Sequence, residues 1–126
     1  MRLLLDTHVL LWWFEDDRRL GRSRALIADP TNDVSISIVS LWEIAIKSRI
    51  GKLNANVGMT ERQRVHEGFD LLDVRVPHLE ALAALPHHHR DPFDHLLIAQ
   101  AQVEGLTFVT ADRHASLYPV DVVAVG

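Results

Sequence analysis

Residues 91–112, DPFDHLLIAQAQVEGLTFVTAD, carry the strongest secondary-structure signal in the chain. The opening Asp-Pro pair predicts a helix start, because aspartate caps the first turn and proline suits the first helical position. Apolar residues then recur at helical spacing as far as Glu104, and Gly105 is typical of a helix end. Residues 106–110, LTFVT, predict a buried strand. The segment therefore predicts a helix that leads directly into a strand.

The same alternation of strands and helices extends in both directions from this segment. The predicted strands are residues 2–5, 34–38, 71–76, 106–110 and 122–125, and the predicted helices are residues 8–14, 21–28, 40–50, 60–69, 77–85, 91–104 and 112–117. Parallel strands need crossover connections, and these are usually helices. The sequence thus predicts an α/β fold of the three-layer α/β/α type, with a parallel sheet of four to five strands.

The composition is that of an ordinary globular protein. The chain has 126 residues, of which 48% are hydrophobic and 24% are charged. These proportions exclude a disordered or low-complexity chain. Because domains commonly contain about 100–200 residues, we expect residues 1–126 to form a single domain.

Several classes of protein are disfavoured by what the sequence lacks. There is no cysteine, which excludes disulfides, cysteine nucleophiles and thiolate metal ligands. The longest apolar run, Val9–Phe14, is far shorter than the roughly 20 residues of a membrane-spanning helix. We therefore expect a cytoplasmic protein with no membrane partner. The net charge of −4 disfavours a protein that coats nucleic acid through bulk positive charge.

Acidic residues stand where the predicted strands end. Asp6 follows the first strand, Glu43 lies in the first turn of the helix after the second, Asp94 lies in the first turn of the 91–104 helix, and Asp112 follows the fourth strand. Ligands of open parallel sheets bind at the carboxyl ends of the strands. We expect these four side chains to converge at that edge, although they are far apart in the sequence.

Each acid taken singly also has a purely structural interpretation. Carboxylates favour helix N-termini through capping and the helix dipole. Residues 40–43, SLWE, form a capping box, and Asp6 and Asp112 could each cap a short helix. Glu43 could also pair with Lys47 one turn later, an interaction of only a few tenths of a kcal/mol.

The acids taken together favour a metal site. Two carboxylates about 4 Å apart repel by about 4 kcal/mol at an effective dielectric constant near 20, so a cluster of them needs a cation. Hard oxygen ligands without cysteine favour Mg²⁺ or Mn²⁺ over zinc. Such ions can activate water and stabilise the leaving oxygen when a phosphodiester is cleaved.

Four segments in order carry a family resemblance. They are Leu5–His8 (LDTH), residues 37–47 (SIVSLWEIAIK), residues 90–101 (RDPFDHLLIAQA) and residues 109–112 (VTAD). With these segments the chain resembles the PIN-domain ribonucleases, and more narrowly the VapC-type toxins of prokaryotic toxin–antitoxin pairs. The resemblance spans nearly the whole chain, but residues 51–86 match only loosely.

The resemblance implies particular roles for the acids. The implied catalytic residues are Asp6, Glu43, Asp94 and Asp112. Mg²⁺ or Mn²⁺ is implied to bind chiefly through Asp6 and Asp94, with Glu43 and Asp112 completing the site. Thr110 matches the small hydroxyl residue beside the fourth acid. Asp91 is interpreted as an N-cap, with an outer metal ligand as the alternative.

The resemblance also implies an activity and partners. It implies a metal-dependent endoribonuclease that acts as a toxin on RNA. It further implies a homodimer and a VapB-like antitoxin whose C-terminal segment occupies the groove over the active site.

Two other functions are consistent with parts of the sequence. A phosphoacceptor receiver domain also places acids and Mg²⁺ at the carboxyl edge of a small parallel sheet, but it needs paired acids after the first strand and a lysine after the last. A non-catalytic RNA- or protein-binding module would use the acids as helix caps only.

Other motifs have competing interpretations. Trp12 and Trp13 are adjacent, so either one faces a partner or both flank one core. Residues 87–89, HHH, predict a solvated loop. His8 and His95 each stand next to a proposed metal ligand and are either substrate contacts or surface residues.

Overall fold

The computed structural model describes residues 1–87 and 91–125. The five strands are β1 (Arg2–Leu5), β2 (Asp33–Ser37), β3 (Asp70–Leu72), β4 (Thr107–Thr110) and β5 (Val122–Ala124). The helices are α1 (Thr7–Phe14), α2 (Ser23–Ala28), α3 (Ile38–Arg49), α4 (Val57–Glu67), α5 (Val76–Ala84) and α6 (Pro92–Glu104). Two short 3₁₀ helices span Arg18–Leu20 and Arg113–Leu117.

The strands lie side by side in one sheet in the order β3-β2-β1-β4-β5, and every neighbouring pair is parallel. β1 is central: Leu3 pairs with Val34 on one side, and Leu4 pairs with Phe108 on the other. The chain builds outward from β1 to β3 and then crosses to the opposite side to form β4 and β5. The strand order therefore reverses between β1 and β4, which is where open α/β sheets bind ligands.

Two apolar cores cover the two faces of the sheet. Successive side chains of a strand point to opposite faces, and β1 follows this rule: Leu3 and Leu5 enter one core, and Leu4 enters the other. The core around Leu4 contains buried residues of α6 and of the second 3₁₀ helix. The core around Leu3 and Leu5 contains buried residues of α1 and α2. This arrangement confirms the predicted α/β/α fold with a parallel sheet.

The junction of β2 and α3 differs from the prediction. β2 ends at Ser37 rather than residue 38, and α3 begins at Ile38 rather than Ser40. The N-cap is Ser37, whose hydroxyl oxygen accepts a hydrogen bond from the backbone N–H of Val39 at 3.0 Å. The predicted capping box at residues 40–43 is therefore wrong, and Glu43 lies in the second turn of α3 instead of the first.

Other boundaries shift by a few residues. α2 begins two residues later than predicted, α4 spans 57–67 rather than 60–69, and β3 covers only residues 70–72 of the 71–76 segment. The start of α4 is set by Asn56, whose side-chain oxygen accepts from the backbone N–H of Met59 at 3.0 Å. The 3₁₀ helix at Arg18–Leu20 was not predicted, and residues 113–117 form a 3₁₀ helix.

Trp12 and Trp13 are both partly buried and pack against the core of Leu3 and Leu5. The guanidinium of Arg19 lies 4.5 Å from the centre of the Trp12 ring, and the Trp13 ring lies 6.1 Å from that of Phe69. The structure thus favours the interpretation in which both tryptophans flank one core.

Residue 87 of the predicted histidine loop is exposed, whereas His88 and His89 lie outside the described residues. Within residues 1–87 and 91–125, no helix has the length and apolar character that crossing a membrane requires.

Candidate active site

Asp6 joins the end of β1 to the start of α1. It is 4% exposed, and its Oδ1 accepts a hydrogen bond from the backbone N–H of Val9 at 2.7 Å, so it is the N-cap of α1. Its Oδ2 accepts from the hydroxyl of Thr110 and from the backbone N–H of Ala111 at 3.3 Å. Capping therefore uses only one of the two carboxylate oxygens, and the other links β1 to the end of β4.

Thr110 holds two of the candidate acids in place. Its side chain is fully buried, and its Oγ1 donates to Asp6 Oδ2. The same oxygen accepts from the backbone N–H of Asp112 at 3.0 Å. One hydroxyl thus positions the first and the fourth acid at the point where the strand order reverses.

Asp112 follows β4 and caps the 3₁₀ helix at residues 113–117. Its Oδ1 accepts from the backbone N–H of His114 at 2.9 Å and lies 3.0 Å from His114 Nδ1. Its side chain is 27% exposed. The predicted capping role is confirmed, and the carboxylate stays accessible from outside.

Glu43 is the most buried of the candidate acids, with 1% of its surface exposed. Its Oε2 accepts a hydrogen bond from Lys47 Nζ, as the sequence suggested. Its Oε1 is buried and finds no hydrogen-bond partner among the residues that the structure describes. A buried carboxylate oxygen without a partner is costly, so this atom is an acceptor that the described residues do not satisfy.

Asp94 lies in the first turn of α6, as predicted, and Asp91 is the N-cap of that helix. Asp91 Oδ1 accepts from the backbone N–H groups of Phe93 at 2.9 Å and of Asp94 at 3.2 Å. The cap interpretation of Asp91 is therefore confirmed. Because one of these two bonds comes from the backbone N–H of Asp94, Asp91 also fixes the backbone that carries the third acid.

The electrostatics show that the acids converge. Burial raises the pKa of Asp94 to about 8, and the negative charges of Asp91, Asp6, Glu43 and Asp112 add to the rise. Burial also raises the pKa of Asp6, although the hydrogen bonds from Thr110 and Val9 and the charge of His8 oppose the rise. Charge–charge interactions weaken with distance, so these groups lie in the same region of the molecule. The structure therefore brings the four predicted acids together.

Lys47 interacts with more of the site than the sequence indicated. Partial burial opposes its charge, but the Glu43 hydrogen bond and the charges of Glu43, Asp91 and Asp94 outweigh burial and raise its pKa. The i,i+4 spacing from Glu43 could predict the first contact. Its closeness to α6 depends on how two helices pack, for which the sequence gives no local signal.

Other hydroxyl and histidine contacts support the site. Thr7 Oγ1 donates to Ser40 Oγ at 3.0 Å in a buried contact between α1 and α3. His95 Nε2 lies 2.8 Å from the Tyr118 hydroxyl, so this ring is tied to the end of the second 3₁₀ helix. The sequence singled out His95 but not its partner.

The chemistry of the site fits a hard divalent cation. The candidate ligands are oxygen atoms, and Glu43 Oε1 is buried without a partner among the described residues. Burial, together with the negative charges of the neighbouring acids, raises the pKa of Asp94. Within residues 1–87 and 91–125, no group of three or more histidine, aspartate or glutamate side chains is arranged so that it could hold a metal ion by itself. Mg²⁺ does not require one, since it is commonly held by one or two carboxylates together with water and substrate phosphate.

Fold and site together define an α/β protein with an acidic site at the carboxyl edge of a parallel sheet. The profile of the PIN domain family matches residues 3–120. The chain belongs to the PIN domain family.

Comparison with known proteins gives relatives of the same type. Ribonuclease VapC22 of Mycobacterium tuberculosis (strain ATCC 25618 / H37Rv) is 25% identical over 113 residues, which cover 88% of this chain and 87% of that protein. The VapBC2 structure from Rickettsia felis, bound to a DNA fragment from its promoter, matches with a TM-score of 0.76 at 16% identity and covers 98% of both chains. A toxin–antitoxin complex from Klebsiella pneumoniae matches with a TM-score of 0.65 at 21% identity and covers 97% of this chain and 96% of that one. At these identities the two structures show that the fold is shared.

Proposed function

We propose that this chain is a metal-dependent endoribonuclease that hydrolyses RNA phosphodiester bonds and acts as the toxin of a toxin–antitoxin pair. The observation that carries the proposal is the convergence of four acids on one site, with Glu43 Oε1 left without a partner in the part of the chain that the structure describes. Membership of the PIN domain family and similarity to a VapC ribonuclease support it.

In this proposal Asp6 and Asp94 would hold Mg²⁺ or Mn²⁺, and Glu43 and Asp112 would complete the site. A bound divalent cation would supply Lewis-acid chemistry at the scissile phosphate. Thr110 and the backbone N–H of Val9 orient the Asp6 carboxylate through their hydrogen bonds to it. Glu43 Oε1 would accept a hydrogen bond from the attacking water, because its other oxygen already accepts one from Lys47 Nζ.

The proposed partners follow from the same similarities. The similar structures include VapBC and toxin–antitoxin complexes, which supports a VapB-like antitoxin as partner. We further propose that the protein acts in the cytoplasm as a homodimer, and that residues 1–126 function as one domain.

The test is cleavage of a mixed pool of structured RNAs by antitoxin-free protein, with Mg²⁺ or Mn²⁺ against EDTA. Asp94→Asn removes one proposed ligand. Asp33→Asn is the matched control, because this exposed aspartate begins β2 at the opposite edge of the sheet. We expect metal-dependent cleavage by the wild type and the control, and loss of cleavage in Asp94→Asn.

Two results would argue against the proposal. Cleavage by Asp94→Asn at the wild-type rate would contradict the assigned site. Absence of cleavage, with no change in melting temperature on addition of Mg²⁺ or Mn²⁺, would favour a non-catalytic module in which the acids only cap helices.

A further inference from the structure

Lys47 lies on α3 one turn after Glu43 and reaches toward the N-terminus of α6. Its Nζ donates to Glu43 Oε2 and lies 5.9 Å from the centre of the Phe93 ring. That ring packs edge-on against Trp42, with ring centres 4.8 Å apart. The Lys47 side chain is 30% exposed, whereas that of Glu43 is 2% exposed. The ammonium group is therefore fixed between a buried carboxylate and the aromatic wall formed by Trp42 and Phe93.

The position of Lys47 extends its influence beyond Glu43. Its charge also interacts with those of Asp91 and Asp94 on α6. These two carboxylates and Glu43 are in turn among the groups that act on one another across the site. Lys47 thus supplies positive charge beside Glu43 and near Asp91 and Asp94.

We propose that Lys47 is a positioning residue that serves as the built-in counter-ion of the acid cluster and competes with the divalent metal for it. The inference rests on the proposed function, because it presupposes that the acids bind a metal. Lys47 also donates a hydrogen bond to one oxygen of Glu43. The other oxygen, Oε1, is therefore the one that remains to accept a hydrogen bond in the site.

Two consequences follow from this arrangement. Without metal, Lys47 stabilises the folded protein, because it neutralises part of the charge on a buried carboxylate. When the metal is bound, the positive charge of Lys47 repels it. Coupling of this kind is reciprocal, so metal must weaken the contribution of Lys47 to stability by the same factor by which Lys47 weakens metal binding.

The variant Lys47→Met tests the proposal, because methionine keeps an unbranched side chain beside Phe93 and removes the charge. Lys52→Met is the matched control, since Lys52 is exposed and is the only other lysine. Titration calorimetry with MgCl₂ and MnCl₂ gives the dissociation constants. We expect Lys47→Met to bind the ions about tenfold more tightly than wild type, and Lys52→Met to bind them as wild type does.

Melting temperatures provide a second readout that does not involve activity. Lys47→Met should melt below the wild type without metal, and the difference should shrink at saturating Mn²⁺. The pair Glu43→Gln/Lys47→Met guards against failure to fold, because it leaves no unpaired buried charge. Compared with Glu43→Gln alone, this double variant should again bind metal more tightly.

Other outcomes overturn the inference in distinguishable ways. The wild type could bind metal while Lys47→Met binds it no more tightly than the wild type and the double variant binds it no more tightly than Glu43→Gln. That outcome would show that Lys47 supports structure only. A wild-type protein that binds neither ion would overturn the counter-ion role together with the metal dependence of the proposed function.

Discussion

Two buried polar clusters lie close to the start of α3, and they are built in opposite ways. One centres on Gln100, which is fully buried; its amide oxygen accepts from Ser37 Oγ, and its amide nitrogen donates to the carbonyl of Asp73 at 3.1 Å. The other is the acid cluster, where Glu43 Oε1 has no partner within the described part of the chain, and where burial together with like charges raises the pKa of Asp94.

The difference shows which cluster serves folding. The network around Gln100 is satisfied by its own neighbours, including His78, whose Nδ1 lies 3.4 Å from Gln100 Nε2 and accepts from the backbone N–H of Arg75 at 2.9 Å. It joins β2, α3, α5 and α6, as a closed polar network is expected to do. The acid cluster instead concentrates like charges that oppose folding. This contrast supports the proposal that a cation binds to the acid cluster.

The largest effect should come from Asp6→Asn. Asparagine caps helices as well as aspartate does, so α1 should stay intact. The variant loses the negative charge of a proposed metal ligand. Loss of a ligand should cost more than loss of a residue that only orients a ligand, so we expect RNA cleavage to fall by more than about a hundredfold. Asp17→Asn changes the N-cap of the first 3₁₀ helix and should cleave normally. Near-normal cleavage by Asp6→Asn would show that Asp6 serves only as a helix cap.

The next largest effect is expected for Thr110→Val. Valine fills the same space but can neither donate to Asp6 nor accept from the backbone N–H of Asp112. Affinity for Mn²⁺, measured by calorimetry, should fall by about 10- to 100-fold. Thr107→Val at the other end of β4 is the control and should retain wild-type affinity. Equal affinities in the two variants would show that Thr110 does not position the acids.

Gln100→Met tests the satisfied cluster. It keeps the volume but leaves Ser37 and the carbonyl of Asp73 without their partner, which should cost about 2 kcal/mol of stability. For a domain of this size the melting temperature should drop by about 5–10 °C, whereas Gln102→Met on the exposed face of α6 should change it little. Cleavage per folded molecule should persist. Loss of cleavage without loss of stability would place Gln100 in the active site.

The last expected effect concerns the pH dependence of stability. The pKa of Asp94 lies at about 8 in the folded protein, above its ordinary value of 3.8, so the folded state binds more protons between these values. Stability of the metal-free protein should therefore fall as pH rises from about 4 to about 8 and level off above that. Thermal melts across this range should show a flatter profile for Asp94→Asn, because the variant lacks the titrating group. Parallel profiles would contradict the raised pKa.

Much of the fold and the candidate site was predictable because its signals are local. Residues 91–112 contain the cap, the apolar face, the C-terminal glycine and the strand within one segment, and α6 and β4 lie where predicted to within a residue. Alternation of strands and helices was enough to predict a parallel sheet. That rule in turn placed Asp6, Glu43, Asp94 and Asp112 at one edge.

The start of α3 was mispredicted because two serines compete for the cap. Ser37 and Ser40 are equally suitable by sequence, and Glu43 three residues after Ser40 favours the second. In the structure Ser37 Oγ donates to Gln100, which is 63 residues away, and accepts from Val39, while Ser40 accepts from Thr7. A partner this distant in sequence leaves no trace in the local pattern.

The sequence by itself determined the class of fold, the edge at which the acids gather and the helix caps at Asp6, Asp91 and Asp112, because these depend on interactions within a few residues. Only the tertiary structure decided which serine begins α3, that Lys47 reaches the charges of α6, and that burial and neighbouring charges raise the pKa of Asp94. Those features depend on burial and on distances between helices, which arise only when separate segments pack against one another.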